Sequence, residues 1–128
     1  MKYLLDSHTG LWFADDSPQM SNAIKRVIEN PANEKHISIA SIWELAIKAA
    51  TGKLNFTDPP EIYLADMIRL NNFQLLPLTF DHVTRGASLP LHHRDPFDRV
   101  IIAQSLMEKM PIISADAIFD AYGVTRIW

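Results

Sequence analysis

The chain has 128 residues, 48% of them hydrophobic and 21% charged, with no cysteine and a formal net charge of −3. This composition describes one folded domain able to bury a sizeable core, and it excludes a disordered segment, a disulfide framework and thiolate metal sites. A protein that holds nucleic acid by phosphate neutralisation alone should be basic, so a nucleic-acid substrate would need a local patch or a bound cation here.

Lys2 to Leu5 reads as a short buried strand, closed by Asp6. One basic residue, three apolar residues and then an acid make too short and too quickly charged a start for a signal peptide. No apolar run reaches the roughly 18 residues needed to span a membrane. The cytoplasm is the expected location, and the absence of cysteine fits a reducing compartment. Ser21 to Glu29 is predicted helical, with Ala23, Ile24, Val27 and Ile28 at helical spacing, and Asn30-Pro31 ends it. His36 to Ala40 is a second strand. Ser41 to Ala50 is a helix stopped by Gly52, and Glu61 to Leu70 another. Phe73 to Leu78 is a short strand, and Phe80 to Leu89 a helix stopped by Pro90. Pro96 to Met110 is a long helix, apolar nearly all round and so expected to be central. Pro111 to Ser114 is a strand, Ala117 to Tyr122 one or two helical turns closed by Gly123, and Val124 to Trp128 a last strand. Strands and helices alternate from end to end. The pattern argues for a single α/β sandwich over residues 1–128 with a mainly parallel sheet, whose ligands bind beyond the C-terminal strand ends.

The acids fall at the junctions of these elements. Asp6 ends the first strand, Glu44 lies in the first turn after the second, Asp95 and Asp98 open the central helix, and Asp116 follows the Pro111–Ser114 strand. Each has a capping explanation. Ser41-Ile42-Trp43-Glu44 makes a capping box, and Asp95-Pro96-Phe97-Asp98 reads as cap, first-position proline and dipole-favoured acid. Asp6 and Asp116 can cap the turns they precede. Capping does not require several carboxylates on one rim, however, because serine, threonine and asparagine cap as well. Converging carboxylates raise one another's pKa values unless a cation sits among them. An all-oxygen set suits Mg²⁺ or Mn²⁺, which retains water and takes a few carboxylates plus substrate phosphate. Metal-assisted phosphodiester hydrolysis is the chemistry these residues suit.

Four segments, in order, resemble one known family. They are Tyr3-Leu4-Leu5-Asp6-Ser7-His8-Thr9, Ser38-Ile39-Ala40-Ser41-Ile42-Trp43-Glu44-Leu45, His93-Arg94-Asp95-Pro96-Phe97-Asp98-Arg99, and Ile113-Ser114-Ala115-Asp116 with Phe119 and Tyr122-Gly123-Val124. Together they look like a PIN domain, similar to the VapC-type toxins of toxin–antitoxin pairs, across essentially all of residues 1–128. The resemblance implies a three-layer α/β/α sandwich around a mainly parallel sheet. It implies that Asp6, Glu44, Asp98 and Asp116 bind Mg²⁺ or Mn²⁺ and catalyse RNA cleavage, with Asp95 as the alternate ligand or a helper to Asp98. Ser7 and Ser114 stand where the family often carries a hydroxyl that orients a metal water. It further implies a cognate antitoxin docked in an apolar groove near the first helices, with Trp12 and Phe13 as contacts if exposed, and a homodimer. Gly10 departs from the larger apolar residue usual there and is expected to loosen the first helix.

Lys48, His93, Arg94 and Arg99 are candidates for contacts to substrate phosphate, set against ordinary surface or loop roles. His92 and His93 are adjacent, and no cysteine or histidine pair has structural-zinc spacing, so zinc is not expected. A haloacid-dehalogenase reading wants a second Asp two residues after Asp6, where His8 stands. An inactive RNA- or protein-binding module of PIN type is the remaining alternative, although such a module would be expected to have lost acids.

Overall fold

Five short strands form one sheet in the order β3-β2-β1-β4-β5, every neighbouring pair parallel, in the computed structural model, which describes residues 1–128. The elements are β1 (Lys2–Leu5), α1 (Ser7–Ala14), α2 (Asn22–Glu29), β2 (Glu34–Ser38), α3 (Ile39–Ala50), α4 (Pro60–Leu70), β3 (Gln74–Leu76), α5 (Phe80–Ser88), α6 (Pro96–Glu108), β4 (Ile112–Ile113), a 3₁₀ helix (Ala117–Tyr122) and β5 (Arg126–Ile127). The expected α/β sandwich is present, with every strand parallel.

β1 lies in the middle, so both its faces are covered, which explains its continuous apolar run. Alternation along the strands divides the core in two. Tyr3 and Leu5, with Ile37 and Ile113, pack against α1, α2, α3 and α4 through Leu11, Ile24, Ile28, Leu45, Leu64 and Met67. Leu4 and Ile112 pack the other way against Ile101 and Ile102 of α6, with Met110, Phe119 and Val124. These are the three layers. Parallel pairing places the C-terminal ends of β1, β2 and β4 on one rim.

Three boundaries differ in ways that bear on the site. β2 ends at Ser38 and α3 begins at Ile39, with the Ser38 hydroxyl accepting from the Ala40 N–H at 3.1 Å. The strand therefore turns directly into the helix, and the capping box expected at Ser41 and Glu44 does not form. Ser41 is buried inside α3 and Glu44 lies in its second turn. The outer strands are shorter than their apolar runs, since residues such as Phe73 and Val124 fill the core without joining the ladder. Finally, α1 was not delimited from sequence, and Gly10 does not loosen it. A Cβ at Gly10 would stand 2.9 Å from Cδ1 of Ile37, so glycine lets α1 approach the sheet closely.

Candidate active site

Asp6 leaves β1 in an extended conformation and caps α1, its Oδ1 accepting from the Thr9 N–H at 2.7 Å. Its Oδ2 accepts from the Ser114 hydroxyl at the end of β4. The same hydroxyl oxygen accepts the backbone N–H of Asp116 at 3.0 Å, and Asp116 is exposed and caps the 3₁₀ helix through Ile118. Thr9 donates to the Ile113 carbonyl at 2.9 Å, tying α1 to β4. Two neighbouring strand ends thereby bring Asp6, Ser114 and Asp116 into one hydrogen-bonded chain.

Ser7 extends the set to α3. Its buried hydroxyl donates to Glu44 Oε1 at 2.8 Å, while Lys48 Nζ stands 3.0 Å from Glu44 Oε2, one turn further along the helix. Glu44 is 7% exposed. α3 packs on α6 with Trp43 edge-on to Phe97 at 5.3 Å, and this contact sets Glu44 near Asp98. Burial pushes the Asp98 carboxyl up to about 6. The charges of Asp95 and Glu44 push the same way, and the His93 ring, 2.7 Å away through Nε2, opposes them. The two acids at the start of α6 thus differ in role. Asp95 caps the helix, accepting from the Asp98 N–H at 3.0 Å, whereas Asp98 caps nothing and its carboxylate meets His93 and the field of Glu44.

The capping explanation therefore holds for Asp6, Asp95 and Asp116 and fails for Glu44, while Asp98 lies in the first turn of α6 as the dipole reading expected. No three Asp, Glu or His side chains are gathered as a ready cage for an ion. The donors are all the same fitted to a hard divalent cation: carboxylate and hydroxyl oxygens, with the buried Glu44 acting on the partly buried Asp98.

The basic candidates separate. Arg99 is buried, and its guanidinium donates to the carbonyls of Ala87, Leu89, Pro90 and His93 at 2.6–3.2 Å. The candidate phosphate contact is thereby corrected, because both terminal nitrogens are taken up by carbonyls of residues 87–93. Tyr122 assists, its hydroxyl donating to Pro90 and accepting the His93 N–H at 2.8 Å. Together they set the loop that brings His93 to Asp98. Lys48 is engaged with Glu44, and Arg94 is exposed with no hydrogen bond or ion pair. The sequence reading missed the His93–Asp98 and Ser7–Glu44 pairs. His93 is legible in the sequence as a candidate phosphate contact or a loop residue, not as the partner of Asp98, and nothing local announces a bond spanning 37 positions. Trp12 and Phe13 are half-buried rather than exposed, and Phe13 leans on Phe73. A cavity of about 320 Å³ is lined by Asp6 and Asp116 with His8, Trp12 and Ala115, and Glu44 and Asp98 are not among its walls.

Comparison with known proteins gives the same outline. A family model described as the PIN domain matches residues 3–124. Among solved structures, the chain is similar to one in VapBC2 from Rickettsia felis bound to a DNA fragment from their promoter, at TM-score 0.73 and 15% identity over 99% of this chain and 98% of that one. It is also similar to one in FitAcB from Neisseria gonorrhoeae, at TM-score 0.66 and 17% identity over 100% and 97%, and to one in a toxin–antitoxin complex from Klebsiella pneumoniae, at TM-score 0.58 and 16% identity over 89% and 86%. At these identities the likeness is one of fold. No curated protein matches the sequence.

Proposed function

The chain belongs to the PIN-domain family, and from that premise we propose that it is a Mg²⁺- or Mn²⁺-dependent endoribonuclease, the cytoplasmic toxin of a toxin–antitoxin pair. One observation carries the reading. Glu44 is buried and Asp98 partly buried on facing helices, neither caps a helix, and the Asp98 carboxyl is held up to about 6 by desolvation and by like charges. Lys48 and Ser7 offset part of the cost at Glu44 and His93 part of it at Asp98, and a bound cation would complete the set.

Asp6, Glu44, Asp98 and Asp116 would hold the metal, with Asp95 fixing the first turn that carries Asp98. A divalent cation bound there supplies an activated water and stabilises charge on the phosphodiester oxygens. Ser114 holds the Asp6 carboxylate towards Asp116, and Ser7 holds Glu44. His93 orients Asp98, and Lys48 offsets the charge of Glu44. Arg94, exposed and unpaired, is the cation left to meet a neighbouring phosphate. The antitoxin assignment draws support from neighbours of this fold that come from VapBC, FitAB and other toxin–antitoxin complexes. The homodimer draws support from the outer face of α3, where Ile39, Trp43 and Ile47 are exposed at helical spacing beside Val83.

Cleavage of a labelled RNA pool in Mg²⁺, in Mn²⁺ and in EDTA, beside Asp6→Asn, tests the proposal. Cleavage confined to metal and absent in the variant is expected. No cleavage, together with no heat of Mn²⁺ binding, would favour a non-enzymatic binding module.

A further inference from the structure

Three rings adjoin one another in the order His8, Trp12 and Trp128, the first two at the acidic cavity and the third against Trp12. His8 and Trp12 line that cavity with Asp6 and Asp116. The two rings are 6.0 Å apart and tilted by 45°, and Trp12 in turn meets Trp128 at 5.7 Å and 52°. None of these contacts is a saturated stack. Phe56 and Tyr63, at 4.0 Å and 8°, show what one looks like in the same molecule. The Trp12 indole is half-buried, while His8 is exposed and Trp128 is 41% exposed.

We infer that His8, Trp12 and Trp128 form a stacking subsite for an unpaired nucleobase beside the scissile phosphate. The inference rests on the ribonuclease reading and names how that site grips its substrate. Electrostatics favour it. The net charge is −3, and of the cations around the acids Lys48 is engaged with Glu44, Arg99 with four carbonyls and Arg126 with Asp120, while Arg94 is exposed and unpaired. Few side chains are thus left to neutralise phosphate, and a base contact adds what they do not supply. A neutral base face is tolerated beside carboxylates that repel phosphate, and stacking accepts any base. Bases inside a duplex are covered by their neighbours, so the subsite selects single-stranded segments. A protein segment laid on these rings is the competing occupant. It has no reason to require the two acids in the same cavity, whereas a nucleotide presents a base and a phosphate together.

The test is fluorescence anisotropy of a labelled random single-stranded RNA pool in Ca²⁺, with cleavage of the same pool in Mg²⁺. Trp12→Ala and Trp128→Ala should each weaken binding roughly tenfold, about 1.4 kcal/mol, and raise KM to match, while Trp12→Phe recovers most of the loss. The loss should persist at raised salt, and an abasic pool should bind parent and variants alike. Trp12 packs against the core, so the more exposed Trp128→Ala and the conservative Trp12→Phe keep the result readable if Trp12→Ala unfolds. Variants that bind and cleave like a parent that is itself active overturn the subsite and leave the nuclease. A parent that neither binds nor cleaves overturns both. Variants with unchanged RNA binding that lose a co-expressed antitoxin assign the rings to that partner and overturn the inference.

Discussion

Asp98 carries the clearest single-residue consequence. Burial holds its folded-state pKa at about 6, above the ordinary aspartate range. The protonated carboxyl is therefore favoured by folding, and its stabilisation is complete below about 4 and lost as pH rises through about 6. In EDTA the urea midpoint should fall between pH 4 and pH 6.5, and Asp98→Asn should flatten that decline. Asp98→Asn should also lower kcat roughly a hundredfold or more, since metal assistance contributes several kcal/mol. Variants that unfold rather than lose turnover would return these acids to a structural role. The serines act through the acids they hold. Ser114→Ala should weaken Mn²⁺ binding by about 10- to 100-fold, read by calorimetry, with near-native circular dichroism.

At the scale of elements, the site depends on how α5, α6 and the loop between them are held. A Cβ at Gly86 would stand 3.1 Å from the Val100 Cα and 3.3 Å from the Arg99 carbonyl oxygen. Backbone cannot give way as a side chain can. Gly86→Ala should therefore destabilise by about 1–3 kcal/mol in urea unfolding, despite the higher helix propensity of alanine. Arg99→Ala leaves the 87–93 carbonyls without their donor and should cost on the order of 3 kcal/mol, as hydrogen bonds to a charged group typically do. It should also reduce cleavage, because that loop carries His93 to Asp98. A variant with unchanged stability would show that water replaces the guanidinium without loss.

For the molecule as a whole, folding and metal binding are coupled. The buried Glu44 and the partly buried Asp98 repel each other until a cation joins them, and a ligand at a hundred times its Kd adds about 2.7 kcal/mol. Saturating Mn²⁺ should therefore raise the Tm of the parent clearly. Glu44→Gln should start at a higher Tm in EDTA and gain less from the metal. Equal metal-induced shifts in parent and variant would place the ion elsewhere.

The amino-acid sequence by itself determined the alternation of strands and helices, because apolar spacing and capping chemistry are local. Asp95-Pro96 opens α6, Ser21 caps α2 and Gly123 closes the 3₁₀ helix with φ 75, each as the residue types require. The order of the acids along the chain was legible for the same reason. Tertiary structure alone decided the rest. Ser38 rather than Ser41 begins α3 because pairing with β1 and β3 fixes where the strand ends. Arg99 faces carbonyls because the 87–93 loop folds over it. His93 meets Asp98, and Ser7 meets Glu44, through packing between elements distant in the chain. Local chemistry fixes what each segment becomes, whereas the neighbours of a side chain depend on sheet order and helix packing, which no short stretch of sequence encodes.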